Sequence, residues 1–394
     1  MKVTIPVDQL TAWTTTASRA LPAKPPVPVL AGLLLDATQD GRLSIGGFDF
    51  EVSTRTCGPV EVGEPGRVLV SGRLLGDITR TLPKGSHAQL QLEGPRLVLT
   101  AGSARFTLPT LPVDEYPALP QMPERSATVD GELLAAAVAQ VVVAAGRDDT
   151  LPVLTGVYLE VDLEQQQLTM AATDRYRFAV RRMPFTPAPG ITLPVPKAAA
   201  PTLPDEEPKP PRLPGFLIPA RGLTDIVKAL GDQDVDLALT EGMAAFTTPA
   251  LRTTTRLLEG EFPRWRALVP TQFVTEVLVD RDALAEAVGR VATVAQTNTP
   301  IRLHVDADAQ TIRAEGGSGD DAQAVDELPA DIEGDTMGIA FNPAYLLAAL
   351  RSVADPKIRI SLQSSTKPAL VTGSDQDQDD PEHFHILMPV RLSG

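Results

Sequence analysis

The chain repeats the same order of segments three times. A helix-like segment with a polar start begins at Val7, Val129 and Val279, and strand-like and helix-like segments follow it in the same order. A strand entry that reads PVLAGLLL from Pro28 returns as PVLTGVYLEV from Pro152. Self-similarity at a fixed period is the signature of a repeated structural unit, so three similar domains are predicted.

Each copy combines helical and strand patterns. The first helical segment places apolar residues at i, i+3, i+7 and i+11, namely Leu10, Trp13, Ala17 and Leu21, as an amphipathic helix does. The second helix of each copy is predicted from a shorter stripe, formed by Leu75, Ile78 and Leu82, by Leu223, Ile226 and Leu230, and by Leu347, Leu350 and Ala354. The strand segments alternate with period two. The predicted fold class is therefore α+β, with two helices packed on β-sheets in each domain.

The spacing of the copies locates one insertion. Val7 and Val129 are 122 residues apart, whereas Val129 and Val279 are 150 apart. The surplus coincides with residues 184–214, which contain eleven prolines. Because proline lacks a backbone donor and favours extended structure, this stretch is predicted to be a projecting loop or a disordered arm. The predicted domains are residues 1–124, 125–272 with the Pro-rich insertion, and 273–394.

The composition excludes several classes of protein. The single cysteine, Cys57, rules out a disulfide framework and a metal site built on paired thiolates. The N-terminus MKVTIPVDQL has no apolar secretory segment, and the run of low polarity at 133–146 is shorter than the roughly 18 residues that span a bilayer. A cytoplasmic multidomain protein is predicted.

The charges are unevenly distributed. The formal net charge is −15, yet the six segments predicted to contain helices carry twelve basic and seven acidic residues, a net charge of +5. The rest of the chain therefore carries −20. Basic solvent faces are common on single helices, but a positive sum over the six helical segments of an acidic chain, with none of them net negative, indicates a shared anionic partner.

Patterns of enzymatic chemistry are weak. Ser364 and Lys367 form an S-x-x-K pattern without the S-D-N and K-T-G motifs that accompany it in penicillin-binding enzymes. His383 and His385 could pair on a metal, but a third ligand is not near them in the sequence, and surface histidines are the preferred interpretation. Neither a P-loop nor G-x-G-x-x-G occurs. We predict no catalytic residues, no metal site and no cofactor.

Several motifs together carry a resemblance to a known family. GRDDTLPVLTGV, ATDRYRFAV, TTTRLLEGEFPRWRALVP, AFNPAYLLAAL and the terminal LMPVRL resemble the β subunit of bacterial DNA polymerase III, the β sliding clamp, in its actinobacterial form. The resemblance covers the chain apart from the Pro-rich insertion. It implies a head-to-tail homodimer that closes a ring of six domains around duplex DNA and serves as the processivity factor of the replicative polymerase.

The dimensions of such a ring can be estimated independently. Twelve helices spaced roughly 10 Å apart give a circle about 38 Å across and, after subtraction of helix radii, a hole near 28 Å. One chain would leave about 9 Å and three chains over about 40 Å by the same arithmetic. A dimer therefore suits duplex DNA, and sliding requires phosphate attraction without base recognition.

The resemblance also implies three sets of site residues. The ring contact is predicted to use Ile78, Leu82, Arg96, Arg105, Phe106 and Leu108, facing Thr293, Val294, Asp320 and Asp321. The positions predicted to face DNA are Lys24, Arg73, Arg147, Arg221 and Asn342. A groove for short extended peptides is predicted from Leu154, Thr173, Arg175, Tyr176, Arg177, Phe178, Pro263, Leu268, Tyr345, Met388, Pro389, Val390 and Arg391.

The resemblance implies partners as well as sites. These are sequence-independent duplex DNA, a second copy of the chain, the polymerase α subunit, the clamp loader, repair proteins and groove-binding peptide inhibitors, with no membrane partner. One alternative within the family is a second clamp copy that tolerates inhibitors, an antibiotic self-resistance copy. A non-ring triplicated protein-binding scaffold and a serine-acylating enzyme are the alternatives outside it.

Overall fold

The computed structural model describes residues 1–194, 213–294, 299–317, 322–377 and 380–391. The described residues form two compact units. The first contains Met1–Glu132, Thr186–Pro194 and Arg221–Leu257. The second contains Leu133–Phe185 and the described parts of 195–220 and 258–394.

Six α-helices occur in the described residues, two in each repeated copy. They are α1 Val7–Ala17, α2 Gly72–Thr81, α3 Gly131–Val142, α4 Ala220–Leu230, α5 Arg281–Ala292 and α6 Pro343–Ser352. Side-chain caps fix several of their starts, since Ser71 accepts a hydrogen bond from the backbone of Leu74 and Asp280 accepts one from Ala283. The helices end earlier than the predicted segments, so Lys24 and Arg147 lie beyond them.

The strands fall in chain order around these helices. The first fourteen are β1 Lys2–Pro6, β2 Gly32–Ala37, β3 Arg42–Phe48, β4 Val52–Pro59, β5 Glu61–Glu64, β6 Gly66–Ser71, β7 His87–Glu93, β8 Arg96–Ala101, β9 Ala104–Leu111, β10 Ala127–Val129, β11 Gly156–Asp162, β12 Gln167–Thr173, β13 Arg177–Pro184 and β14 Thr186–Pro187. The others are β15 Gly215–Pro219, β16 Val235–Leu239, β17 Met243–Thr247, β18 Leu251–Arg256, β19 Thr275–Asp280, β20 Ile301–Asp306, β21 Thr311–Gly316, β22 Ala324–Pro329, β23 Asp331–Gly334, β24 Met337–Phe341, β25 Lys357–Leu362, β26 Ala369–Gly373 and β27 His383–Leu387.

The first unit is built on one sheet of fourteen strands. Its order is β14-β10-β16-β17-β18-β4-β3-β2-β6-β9-β8-β7-β1-β5, with antiparallel neighbours. Helices α1 and α2 pack on it and bury Leu10, Leu75 and Ile78 in one cluster with Ile5 and Leu35 of the strands. The stripes predicted for these helices therefore face the core, as amphipathic spacing requires.

In the first unit, β4 and β18 join segments about 200 residues apart in sequence. Five residues of each strand pair in register, from Leu251 opposite Thr56 to Thr255 opposite Val52. Buried hydroxyls reinforce the pair: the Oγ atoms of Ser53 and Thr254 lie 2.6 Å apart. Cross-strand hydroxyl pairs of this kind stabilise a sheet modestly.

The second unit contains two sheets. A nine-stranded sheet has the order β15-β11-β12-β13-β27-β26-β25-β19-β23, and a four-stranded sheet has the order β22-β21-β20-β24. Helices α5 and α6 bury Leu284, Val288, Leu346 and Leu350 in one cluster with Ile358 of β25. The third copy of the repeat thus has the same two-helix plan as the first.

Two local predictions need correction. The apolar stripe predicted for α6 is shifted by one residue at two of its three positions. Leu347 is only half-buried and Ala354 is exposed, whereas the preceding residues Leu346 and Val353 are buried. The repeated PVL entry is a 3-10 turn, Pro28–Ala31 in the first copy, and the strand begins after it.

The Pro-rich insertion is only partly described. Its first residues belong to the sheet, since β14 pairs with β10, with Pro187 opposite Ala127. Residues 195–212, to which the prediction of a projecting arm mainly applies, lie outside the described residues. Within the described part of the chain, none of the helices is long and apolar enough to cross a membrane.

The two histidines of β27 are buried, so the interpretation as surface histidines is wrong. His383 and His385 are each 1% exposed, and their rings make an edge contact at 5.1 Å between centroids. The Nε2 atom of His385 lies 2.7 Å from the Ser352 hydroxyl. Burial, aided by the nearby Arg181 guanidinium, lowers the pKa of His383 to about 3. Burial also lowers the pKa of His385 well below its usual value.

We expect this burial to make the protein acid-labile. The folded pKa of His383 lies below the unfolded value near 6.5, so the unfolded chain binds more protons and stability falls as pH drops from 6.5 towards 3. At pH 5 one such histidine lowers the free energy of unfolding by about 2 kcal/mol. Urea titrations give the free energy of unfolding at pH 7 and at pH 5. His383→Gln should reduce the difference between these two free energies by about 2 kcal/mol. His87→Gln, at an exposed histidine, should leave the difference between pH 7 and pH 5 as it is in the native chain. The same difference in both variants would contradict the prediction.

Candidate functional site

A tight turn between β12 and β13 organises the candidate site in the second unit. The Asp174 Oδ1 atom accepts hydrogen bonds from the backbone N–H groups of Tyr176 and Arg177, each at 3.1 Å. The Thr173 hydroxyl donates to the Arg177 carbonyl at 2.7 Å and accepts from the Arg175 N–H at 3.1 Å. Arg175 has φ 80°, an uncommon conformation for a non-glycine residue. These bonds hold the turn so that Tyr176 projects, with 56% of its surface exposed.

The turn is linked to α6 through an arginine and a tyrosine. The Arg177 Nε atom forms an ion pair with Asp174 at 2.9 Å, and its guanidinium carbon lies 4.4 Å from the Tyr345 ring centre. The Tyr176 and Tyr345 rings stack at 6.4 Å between centroids. Burial, with the Asp174 carboxylate as the second cause, raises the pKa of Tyr345. The phenol, protonated at neutral pH as tyrosines ordinarily are, can donate a hydrogen bond.

These side chains border a cavity of about 590 Å³ within the second unit. Leu151, Leu154 and the two tyrosines supply apolar surface, and three arginines supply donors. Its lining is Val143, Ala145, Gly146, Arg147, Asp148, Leu151, Leu154, Asp174, Arg175, Tyr176, Arg177, Ala344, Tyr345 and Ala348. A mostly apolar cavity with a few placed donors suits an extended peptide with apolar side chains.

The structure brings five predicted groove residues together in this lining. They are Leu154, Arg175, Tyr176, Arg177 and Tyr345. Thr173 does not line the cavity, but its hydroxyl holds the turn that carries Arg175 and Arg177. Phe178 is only 4% exposed and packs in an apolar cluster with Trp265 and Phe384, so it supports the site from beneath and does not line the cavity.

The C-terminal tail runs beside the turn. The Met388 N–H donates to the Tyr176 carbonyl at 2.9 Å, and the Val390 N–H donates to the Ala340 carbonyl at 2.8 Å. Strand β27 ends at Leu387, before Pro389. The tail and connecting-segment residues predicted for the groove, apart from half-buried Pro389, are exposed: Pro263, Leu268, Met388, Val390 and Arg391.

Sequence reasoning missed part of this lining. The loop with Asp148 and Leu151 forms one wall, and Arg147, predicted to face DNA, lies there too. The Asp148 carboxylate accepts from the Thr150 hydroxyl at 2.6 Å and from its N–H at 3.0 Å, and these bonds lower the pKa of Asp148. The motif GRDDTLPVL contained the signal, since an Asx turn before a proline indicates a fixed loop.

The basic positions of the first unit are solvent-exposed. Lys24, Arg73 and Arg221 are all exposed, and none of them forms an ion pair among the residues that the structure describes. The Arg19 guanidinium donates to the Asp225 carbonyl at 2.9 Å, which ties the end of α1 to α4. These cations are therefore available to phosphate groups.

Asn342 caps helix α6. Together with Arg147, it is one of the two positions of the second unit that are predicted to face DNA. Its side-chain oxygen accepts hydrogen bonds from the N–H groups of Ala344 at 2.9 Å and Tyr345 at 3.3 Å. Only its NH₂ group remains to donate to another molecule. Its local role is to start α6 and hence to place Tyr345.

The apolar residues predicted for the ring contact are mostly core. Leu108 has no exposed surface, and Ile78 and Leu82 are 9% and 5% exposed, so these side chains pack in the core of one chain and their part in the ring contact stays a prediction. Phe106 is half-buried against the same core cluster. Exposed Arg105 pairs with Glu93 at 3.6 Å, and Arg96 is exposed on β8.

Strand β9 offers an open edge beside these residues. Residues 104–109 pair with β8, but only Thr110 and Leu111 pair with β6. In the second unit, β22 is the outer strand of the four-stranded sheet, and Val325 on it is 63% exposed. An unpaired edge is a template for pairing with another chain.

The residues predicted to face this edge are only partly described. Thr293 is exposed directly after α5, and its hydroxyl donates to the Gly289 carbonyl at 3.1 Å. Val294 is half-buried. Asp320 and Asp321 lie outside the described residues, so their part of the predicted contact remains a prediction.

The S-x-x-K pattern lies in the loop between β25 and β26. The Ser364 hydroxyl accepts a hydrogen bond from the Thr366 N–H at 3.4 Å, and Lys367 is exposed. This is the hydrogen bonding of an ordinary turn.

Family models match the chain in three consecutive parts. The models of the DNA polymerase III beta subunit match residues 1–120 with the N-terminal domain, 128–200 with the central domain and 266–391 with the C-terminal domain. The chain belongs to the DNA polymerase III beta subunit family. The resemblance drawn from the motifs is confirmed.

Individual relatives of this beta subunit chain match it over nearly all of its length. It is 47% identical over 404 residues to the beta sliding clamp of Streptomyces coelicolor, covering 100% of both chains. It is 35% identical over 380 residues to the beta sliding clamp homolog GriR of Streptomyces muensis, covering 95% of each. The crystal structure of a Pseudomonas aeruginosa DnaN sliding clamp bound to griselimycin matches with a TM-score of 0.87 and 26% identity over 100% of both chains. The Streptomyces relatives support the actinobacterial type.

Proposed function

We propose that the protein is a DNA sliding clamp, the processivity factor of the replicative DNA polymerase. The observation that carries this proposal is the match of three beta subunit domain models, in order, along one chain that aligns end to end with a beta sliding clamp. It acts in the cytoplasm and contributes binding surfaces to synthesis, without catalytic groups or a cofactor of its own.

Two copies close head to tail into a ring of six domains. The proposed domains are residues 1–124, 125–272 and 273–394, and three model matches that start at residues 1, 128 and 266 support a division into three. The open edge of β9 and the outer strand β22 are the free edges that such a contact needs. The first edge carries Phe106 and Arg105 on β9, with Arg96 on the neighbouring strand β8. The second edge, β22, is preceded in sequence by Thr293 and Val294.

The ring holds duplex DNA by charge and without base recognition. Lys24, Arg73, Arg147, Arg221 and Asn342 face the duplex. Exposed cations bind phosphates of any sequence, while the net charge of −15 for the whole chain repels DNA from other surfaces.

The cavity beside Tyr176 is the peptide groove. Its apolar walls and arginine donors suit short extended segments of the polymerase α subunit, the clamp loader and repair proteins, and also groove-binding peptide inhibitors. The tail residues Met388 and Val390, held beside the turn by backbone hydrogen bonds, extend this surface.

A second candidate function stays within the family. An inhibitor-tolerant second clamp copy is suggested by the 35% identity to the clamp homolog GriR. The 47% identity to a clamp without that designation favours the principal replication clamp. One clamp gene in the genome that encodes this chain would support the principal clamp, and two would support the second copy.

Retention on closed DNA tests the clamp function. After loading by a clamp loader onto nicked circular DNA, the protein should remain bound through gel filtration in high salt, because a ring is held by topology. Linearising the circle should release it. A non-ring scaffold would not be retained on either DNA, and that result would contradict the proposal.

A paired variant tests the DNA-facing assignment. Arg73→Ala with Arg221→Ala should weaken binding to linear DNA of every sequence and lower the salt slope by about two, because each phosphate contact adds close to one unit. Arg42→Ala with Arg302→Ala, at exposed arginines on strands, should leave the slope unchanged. An unchanged slope in the first variant, or a loss confined to some sequences, would count against the assignment.

A further inference from the structure

A second cavity, of about 400 Å³, lies within the first unit. It is bounded on one side by the sheet, through Asp36 of β2, Arg55 of β4 and Arg67 of β6. The segment 113–119, which includes Tyr116 and Leu119, bounds the other side. The proposed function leaves this cavity unused.

The internal repeat shows what stands at the same place in the second unit. Strand pairing sets Asp36 opposite Ser44 in the first copy and Glu160 opposite Thr169 in the second. The covering segments also match, since EYPAL at 115–119 corresponds to EFPRW at 261–265. Two structurally equivalent sites can therefore be compared within one chain.

In the second unit this place is filled. The Trp265 side chain is 4% exposed and packs in one apolar cluster with Ala171 and Val180. The Arg266 guanidinium stacks on the Trp265 ring at 4.3 Å and pairs with Glu160 through contacts of 2.5 and 3.0 Å. Carboxylate, guanidinium and indole form one packed group.

In the first unit the carboxylate remains and the guanidinium groups come from strands β4 and β6, but the ring is missing. Asp36 lies 3.5 Å from the Arg67 guanidinium and 4.0 Å from that of Arg55. Leu119 occupies the position of Trp265, and by register Arg55 occupies that of Val180. A smaller side chain under the covering segment leaves the space open, whereas protein interiors normally fill such space.

The lining selects a neutral aromatic group. Two arginines, Arg55 and Arg67, face two carboxylates, Asp36 and Asp114, so the charges balance and neither an anion nor a cation is favoured. Apolar surface comes from Leu34, Leu119 and the Tyr116 ring, and guanidinium groups stack favourably on indole.

We propose that this cavity binds the tryptophan side chain of a partner's peptide segment. The inserted ring takes the position that Trp265 holds in the second unit and stacks against Arg55 or Arg67. The proposal is independent of the peptide groove, because every residue that lines the cavity belongs to the first unit.

Fluorine NMR of N-acetyl-5-fluorotryptophanamide with the full chain tests the proposal. The probe carries the ring and flanking amides but no charge, and we expect saturable binding in the millimolar range or tighter. Leu119→Trp, which fills the cavity from within, should weaken binding at least tenfold, whereas Leu119→Met, of similar volume, should retain it. Arg55→Leu, which removes one stacking face, should weaken binding severalfold and provides a second variant if Leu119→Trp does not fold.

The matched control distinguishes the two cavities. Leu154→Trp, the same kind of change in the cavity of the second unit, should leave binding of the probe unchanged. No saturable binding by the native chain up to about 10 mM would overturn the proposal. Binding that survives Leu119→Trp but is lost in Leu154→Trp would also overturn it, because the probe would then occupy the peptide groove.

Discussion

Removal of residues 388–394 is expected to abolish binding of a Gln-Leu-type clamp peptide. Met388 and Val390 are exposed and held beside the turn by hydrogen bonds to the Tyr176 and Ala340 carbonyls. The truncation removes apolar surface and the Arg391 donors together, so we expect an affinity loss of roughly 100-fold or more, as for loss of an anchoring patch. Fluorescence anisotropy with a labelled peptide measures the effect.

The ring should survive this truncation. Strand β27 ends at Leu387, so the core of the second unit remains intact, and retention on circular DNA should be unchanged. Deletion of 392–394 alone serves as the matched control and should preserve peptide binding. Full peptide affinity in the longer deletion, or loss of the dimer, would contradict the assignment.

Phe106→Asp is expected to convert the dimer into folded monomers. The side chain is half-buried on the segment of β9 whose outer edge has no partner among the described strands. A carboxylate there would lose its hydration when a neighbouring chain docks, and burying an unpaired charge is strongly unfavourable. Light scattering at low micromolar concentration should report the mass of one chain.

Two further variants separate interface from core. Thr107→Asp places the same charge on the exposed neighbouring position and should leave the dimer largely intact. Phe106→Ala removes the ring without adding charge and should weaken the dimer less than Phe106→Asp does. If Phe106→Asp stays dimeric the interface assignment is wrong, and if it unfolds Phe106 is mainly a core residue.

The helices could be predicted from the sequence because their apolar residues recur with helical spacing. Leu75 and Ile78 are buried where the stripe places them. The prediction for the second helix of the third copy failed because Leu346 and Leu347 are adjacent and equally apolar, so the pattern fits either register. Packing against β25 and the neighbouring helix selects Leu346, and that contact is not encoded locally.

The buried histidines could not be predicted for a related reason. His383 and His385 alternate with Phe384 and Ile386, a pattern that suggests one solvent face. Strand β27 instead lies between β13 and β26 inside a nine-stranded sheet, and both of its faces are covered. In a strand covered on both faces, alternation of polar and apolar residues does not mark a solvent face, so it misleads here.

The candidate groove was predictable only in part. The turn at Thr173–Arg177 is held by bonds within five residues, so its geometry is local. The contact between Tyr176 and Met388 joins segments more than 200 residues apart, and only the resemblance to a known family located it. The contribution of Arg147 and Leu151 to the same cavity depends on the packing of that loop against the turn.

The pairing of β4 with β18 bears on how the chain can be divided. Five residues on each side are paired across a seam that joins the first repeat to the second, so we expect the two repeats to unfold together and not as separate units. A fragment cut near residue 125 would leave β4 with an unsatisfied edge and invite intermolecular strand pairing. Amide hydrogen exchange in the intact chain would then protect both strands together, with residues 52–56 and 251–255 opening as a single element.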